Sequence, residues 1–393
     1  MINIFLFLAA VFLLTFIVGK LIEKIRVPWI FAALIIGFLL AIYNPFTSIM
    51  SSPKFNFLAQ LGMYFLLFVI GFELDLHEFK KQSKFIFKAT FSIILFEAFF
   101  GTLLVHFVFG YTWLISSIVA LSFATVGEAI LIPILDEFKI VNTKLGQTII
   151  GVGTLDDIIE IFALIMTIFL IGSNASIHHL NIAFILISLF VLLGLAFGLT
   201  KIRKEGKKFQ FMSIENLFII VLFILFLFLG VGEYAHATAI GALLAGIGLK
   251  TFLPKERLKA IESEVKTMCY GFFAPLFFLW VGSTVNINYL ISYPLLILLV
   301  VVVSNTSKIV SSWIVGRKEF GLKKSILLGI GLSVRFSTSI IVIKLLFENS
   351  IIGVGLYSVI IASSIIFKFL IPVSFSNLLV KWGFAKSSKS SRQ

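Results

Sequence analysis

The chain has 393 residues, 60% of them hydrophobic and only 13% charged, with a formal net charge of +13. A soluble globular domain carries roughly 45–50% apolar and about 25% charged residues, so the composition excludes a soluble enzyme and makes lipid part of the solvent. The positive charge does not mark a nucleic-acid partner, because Lys and Arg sit in short loops between apolar runs and not on one solvated face.

Apolar runs of about twenty residues match the hydrocarbon thickness of a bilayer. Thirteen spans are predicted, centred near Leu13, Leu34, Leu66, Leu95, Ala124, Asp157, Phe190, Ile224, Leu243, Leu276, Val301, Val334 and Ile361. Met1 to Gly19 has neither a basic n-region nor a small-residue cleavage site and reads as a retained first span. If every loop after an odd-numbered span faces the cytoplasm, 27 of the 32 basic residues lie on that side. Only Lys54 falls in an opposite loop, and Lys308, Arg335, Lys344 and Lys368 fall inside spans. The expected topology is an outside N-terminus and a cytoplasmic C-terminus. Residues 1–386 are expected to form one all-α polytopic transmembrane domain: inverted six-helix halves over 1–171 and 211–380, joined by a helix and basic loop over 172–210, then a short polar tail over 387–393. The single cysteine, Cys269, lies in an apolar run and is expected to be buried and inert. No cofactor loop or nucleophile–base set is apparent in the extramembrane pieces.

A charge at mid-membrane costs several kcal/mol, so it faces a cavity, finds a partner and marks an ion or proton path. In chain order the first is Glu97 in the fourth span, open between a relay and a structural acid. The fifth span holds Ser122-Phe123-Ala124-Thr125-Val126-Gly127-Glu128, with Pro133 beyond, a pattern suited either to a broken helix or to close small-residue packing. The sixth carries Asp156, Asp157 and Glu160 near the midplane. Adjacent helical positions point about 100° apart, so the two aspartates address different neighbours, while Glu160 shares a face with each. Three carboxylates on one membrane turn couple their titrations, which suits exchange of protons for a hard cation, Na+, K+ or Li+; fixing helix packing is the competing role. Lys308, in the polar patch Ser304-Asn305-Thr306-Ser307-Lys308 of the eleventh span, is the natural partner for Asp156. The twelfth span, Gly329-Ile330-Gly331-Leu332-Ser333-Val334-Arg335-Phe336-Ser337-Thr338, repeats the composition of the fifth at the corresponding place in the second half. Lys344 and Lys368 are expected to reach an interface or pair locally, and His106, His178, His179 and His236 to lie toward outer span ends.

Leu61–Leu76 (LGMYFLLFVIGFELDL) resembles the third-helix signature of the monovalent cation:proton antiporter-2 family, which includes bacterial Na+/H+ exchangers and Kef-like membrane domains. Gly241–Gly246 (GALLAG) and Pro275–Gly282 (PLFFLWVG) are similar to its ninth- and tenth-helix motifs, and Asp156-Asp157 with Lys308 to its ion-site pair and partner lysine. The resemblance runs from about Asn3 to Leu379. It implies crossed broken helices, a homodimer in the bacterial inner membrane and elevator-type alternating access. It further implies Asp157 as the carrier of H+ or cation, Asp156 paired with Lys308, and Thr125 at the crossover. Asp-Asp resembles the electrogenic Na+/H+ members, whereas glutathione-gated K+ efflux members tend to carry Gln-Asp and a nucleotide-binding domain. A passive channel or a membrane sensor is the rival class, and would conduct or signal without a proton gradient.

Two departures stand out. The family's Arg-Gly-Glu is here Arg335-Phe336-Ser337, which removes one membrane acid, and Glu128 and Glu160 are extra. Glu128 is expected to replace the lost carboxylate as partner to Arg335, with Ser337 and Glu160 modulating the site. Glu128→Ala is therefore expected to impair folding or transport, measured by monodispersity after extraction and by exchange in liposomes; wild-type behaviour in both would remove Glu128 from that role.

Overall fold

Backbone amides and carbonyls inside hydrocarbon have to be satisfied within the chain, which for a spanning segment means a helix or a closed barrel. The computed structural model describes residues 3–24, 28–73, 83–126, 135, 138–174, 182–201, 212–234, 237–253, 255–334 and 337–384, and every regular element among them is helical. In chain order these are α1 (Ile4–Glu23), α2 (Phe31–Ile42), α3 (Thr47–Met50), α4 (Pro53–Glu73), α5 (Lys84–Phe109), α6 (Trp113–Phe123), α7 (Lys144–Asn174) and α8 (Ile182–Lys201). They continue as α9 (Ile214–Tyr234), α10 (Thr238–Phe252), α11 (Lys255–Met268), α12 (Ala274–Ser283), α13 (Ile287–Ser292), α14 (Pro294–Gly331), α15 (Ser337–Glu348) and α16 (Val354–Lys381). A wide π-helical turn, Cys269–Phe273, carries α11 directly into α12. Among the described residues seven helical runs are long and apolar enough to cross a membrane: α1, α4, α5, α9, Arg257–Ser283, α14 and α16.

Eleven of the thirteen predicted span centres fall inside helices. The other two, Ala124 and Val334, fall where a helix stops. Local chemistry sets several ends. Ser83 accepts the Ile86 amide through Oγ at 3.2 Å and starts α5, and Gly110 ends it at φ +75°. Within α14 one residue departs from helix, Gly321 at φ +73°, so α14 is two helices joined by a single left-handed glycine.

The chain forms two compact units, each drawing helices from both sequence halves. The first comprises Met1–Phe12, Asn44–Asp75 and Ile168–Trp280, and its centre is α4 against α10, with α9 and α8 packed on α10. That seam is built by small residues: a Cβ on Gly71 would overlap the Leu243 carbonyl, and one on Gly246 the Phe68 carbonyl. Phe65 stacks on Phe273 with ring centroids 4.3 Å apart. Cys269, in the π-helical turn, is buried.

The second unit comprises Leu13–Tyr43, Leu76–Thr167 and Val281–Gln393. Here α14 packs on α5 and α16, α5 on α6, and α15 on α6 and α16. Its interior is polar for a membrane protein, holding Glu97, Asp156, Lys308, Lys344 and Lys368 out of solvent.

Because the α4–α10 contact is backbone against backbone, Gly246→Val is expected to destabilise the protein by about 1–3 kcal/mol through overpacking. A thermal melt in detergent that leaves the midpoint within a degree of wild type would show that the seam can open to admit a side chain.

Candidate functional site

Two helices of the second unit stop among buried residues. α6 ends at Phe123, Ala124 makes the last helical bond to the Ala120 carbonyl at 2.9 Å, and Thr125 and Val126 continue without helical geometry. α14 ends at Gly331, followed by a turn in which Ser333 donates to Ile330 O at 3.1 Å and Val334 to Gly331 O at 3.3 Å, before α15 resumes at Ser337. A hydroxyl folds back at each break. Thr125 Oγ1 donates to Ser122 O at 3.0 Å and Ser333 Oγ to Gly329 O at 2.9 Å, local bonds that compete with the amide ladder. Such ends leave carbonyls without an amide four residues on, together with the negative pole of a helix dipole.

Lys308 meets both poles. Its side chain is wholly buried, and its ammonium donates to Thr125 O at 2.9 Å and to Leu332 O at 2.5 Å. The third neighbour is a carboxylate, Glu97 Oε2 at 3.2 Å, on α5 and also wholly buried. The ammonium thus combines two hydrogen bonds to carbonyls with an ion pair to a carboxylate. The other oxygen of Glu97, Oε1, accepts from Ser304 Oγ, one helical turn before Lys308. Gly329 lets the second segment of α14 close on the first, since a Cβ there would lie 2.6 Å from Ile309 Cα and 2.8 Å from Lys308 O. Ser333 Oγ also donates to Asn305 Oδ1 at 3.1 Å.

Asp156, on α7, is wholly buried and accepts the Val126 amide through Oδ2. One break therefore presents a carbonyl to a cation and, at the next residue, an amide to an anion. Asp157, Glu160 and Ser337 lie on helical backbone, but their side chains are outside the described residues, as are Glu128 and Arg335 altogether. Of the residues singled out from the sequence, Thr125, Asp156 and Lys308 come together at the breaks. Glu97 was left open and is the carboxylate against Lys308. Its signal was a lone acid at the centre of the fourth span, and the Leu332 carbonyl had no signal at all.

The remaining buried ions lie elsewhere. Lys344 pairs with Glu348 at 2.8 Å and donates to Thr284 Oγ1 at 3.1 Å, and the Lys368 ammonium sits 4.3 Å above the Phe31 ring. His106 stacks on Trp113 at 3.9 Å, while His178, His179 and His236 lie outside the described residues. Among the described residues no three His, Cys, Asp or Glu side chains cluster as a multidentate metal centre. The site offers carboxylate and carbonyl oxygen, the donors of hard cations.

Buried carboxylates set against interrupted membrane helices are the equipment of a secondary ion transporter, not of an enzyme. The chain belongs to the sodium/hydrogen exchanger family, whose transmembrane model matches residues 9–381, and it is accordingly a multi-pass membrane protein that exchanges a cation for protons. Among relatives it is 27% identical over 385 residues to a probable Na+/H+ antiporter 3 of Methanocaldococcus jannaschii, covering 96% of each chain. It is 26% identical over 313 residues to a Na+/H+ antiporter of Enterococcus hirae, covering 76% of this chain and 78% of that one. A glutathione-regulated potassium-efflux protein KefC of Salmonella schwarzengrund matches at 28% over 274 residues, 66% of this chain and 42% of that one. The fold is shared with the sodium proton antiporter MjNhaP1 of M. jannaschii at pH 8, with a TM-score of 0.67, 16% identity, and coverage of 94% of this chain and 98% of that one.

The Val126 amide gives a stability test of the Asp156 contact. Asp156→Asn keeps an acceptor oxygen and is expected to melt close to wild type, whereas Asp156→Ala strands the amide at about 1–3 kcal/mol. Equal melting of the two variants in detergent would show that the contact is dispensable for the fold.

Proposed function

We propose that the protein is an electrogenic Na+/H+ antiporter that also takes Li+. Protons and the cation compete for Asp157, Asp156 and the Thr125 break complete the site, and Lys308 supplies the fixed positive charge beside it. The observation that carries this reading is the meeting of Lys308, Thr125 and Asp156 at two helix breaks. In hydrocarbon, a fixed cation at the carbonyl ends and an anion on the following amide leave a neighbouring carboxylate free to trade a proton for a metal ion. In this reading Asp157 and Asp156 face different neighbours on α7, so one can carry while the other holds the break. Adjacent carboxylates also couple their titrations, so proton release favours cation entry.

The cycle is alternating access of elevator type, with the site-bearing body moving as a whole, in a homodimer of the bacterial inner membrane. The N-terminus faces outward, and the helices cross the membrane as two inverted halves, 1–171 and 211–380. Their interleaving in both compact units accords with that arrangement. Each net charge moved inward yields about 2.3 kcal/mol per 100 mV, which drives Na+ outward.

A second reading, K+/H+ exchange, draws on the similarity to KefC. Asp156-Asp157 and the relatives named as Na+/H+ antiporters favour Na+.

Purified protein in sealed liposomes with an internal pH dye, given an imposed proton gradient and then Na+, Li+ or K+, separates the readings. Na+ and Li+ are expected to dissipate the gradient, K+ not, and Asp157→Asn is expected to abolish the response. Dissipation by K+ alone selects the second reading. Ion flux without a proton gradient, or silence toward every cation from folded protein, would sink both.

A further inference from the structure

The geometry points to Glu97 as a positioning residue of the exchange site: it sets where the Lys308 ammonium stands and, through it, ties the two helix breaks to α5. The inference rests on the exchange reading above and deepens it.

Glu97 is held at both ends. Its Oε2 stands 3.2 Å from Lys308 Nζ, and its Oε1 takes the Ser304 hydroxyl. Ser304 and Lys308 are four residues apart on one helix and lie on one face, so they grip the carboxylate as a two-pronged clamp. All three side chains are buried. The ammonium paired with this carboxylate donates to Thr125 O and to Leu332 O. A lysine side chain has four rotatable carbons and no fixed donor direction of its own. Here it faces a buried counter-charge, the Glu97 carboxylate. Thr125 and Val126 are adjacent, and Val126 N is the donor to Asp156. A change in the tilt of the ammonium therefore reaches the carboxylate of the proposed ion site through a single peptide unit. Glu97 acts through Lys308, and its influence is on the shape of the site and so on cation affinity.

A purely structural salt bridge makes a different forecast. Breaking it would lower the melting temperature and the active fraction, leaving the KM of surviving molecules unchanged. A positioning residue raises KM while kcat per folded molecule is largely kept.

The measurement is Na+-dependent exchange in liposomes for wild type, Glu97→Gln, Glu97→Asp, Ser304→Ala, Lys308→Gln and the Glu97→Gln/Lys308→Gln double variant, each with a thermal melt and with Asp157→Asn as the null for exchange. Glu97→Gln, which removes the buried counter-charge, is expected to raise the apparent KM for Na+ about tenfold. Glu97→Asp, which keeps the charge but shortens the reach, is expected to recover part of that loss. Ser304→Ala, which frees one prong, is expected to raise KM about two- to fivefold with folding intact. In the Lys308→Gln background, Glu97→Gln is expected to add little, because its route to the site is gone.

A wild-type KM in Glu97→Gln, or a Glu97 effect undiminished without Lys308, would overturn the inference while leaving Na+/H+ exchange standing. If Glu97→Gln does not fold, Ser304→Ala decides, and a wild-type KM there overturns it equally. Silence of the wild-type protein overturns both the inference and the exchange reading on which it rests.

Discussion

The Lys308 ammonium is the contact on which the arrangement of the second unit turns. A helix that stops within hydrocarbon leaves carbonyl groups with no water to take them, at several kcal/mol for each one unsatisfied. Two helices stop here, after Phe123 and after Gly331, and one buried cation takes a carbonyl from each, at Thr125 and Leu332. The two breaks are thus mutually dependent. Each carbonyl helps to hold the ammonium, and the ammonium in turn offsets the negative pole of each helix end. Burying that charge is tolerable because Glu97 stands against it, and Glu97 is in turn tied by Ser304.

The first unit solves a different problem by different means. Its helices are joined by shape: glycines at Gly71 and Gly246 bring α4 and α10 to backbone contact, and stacked phenylalanines fill the remaining space. In lipid there is little hydrophobic gain in pairing two apolar helices, so close van der Waals fit and small residues carry such seams. Buried charges concentrate in the unit that has broken helices to satisfy.

Much of this was legible in the sequence. Apolar runs located helices, and the two run centres that missed a helix, Ala124 and Val334, sit at the breaks, where Gly, Ser and Thr had left a broken helix and close small-residue packing both open. Asp156 and Lys308 announced themselves as charges at mid-span. The identity of the groups that meet them was not legible. Backbone acceptors such as Leu332 O and Thr125 O leave no trace in residue type, and the pairing of Glu97 with Ser304 and Lys308 depends on how α5 and α14 register across some two hundred positions of chain. Charge-rich stretches misled in a simpler way. The basic residues between spans were counted as loop residues, yet α11 occupies most of Lys250 to Lys266, and Arg317 to Lys324 is helical apart from Gly321. Polar helices that extend past the apolar layer give up the hydropathy signal before they give up the helix.

That single glycine has a mechanical consequence. Two helices joined through one residue have no slack, so the tip at Gly321 behaves as a stiff elbow. The ten residues that follow it form an arm of about 15 Å at 1.5 Å per residue. A swing of about 10° at the elbow would carry the far end of that arm, where Leu332 lies, through about 3 Å, which is more than a hydrogen bond to Lys308 survives. A small rotation at Gly321 would thereby be amplified into the making or breaking of the contact between Leu332 and Lys308.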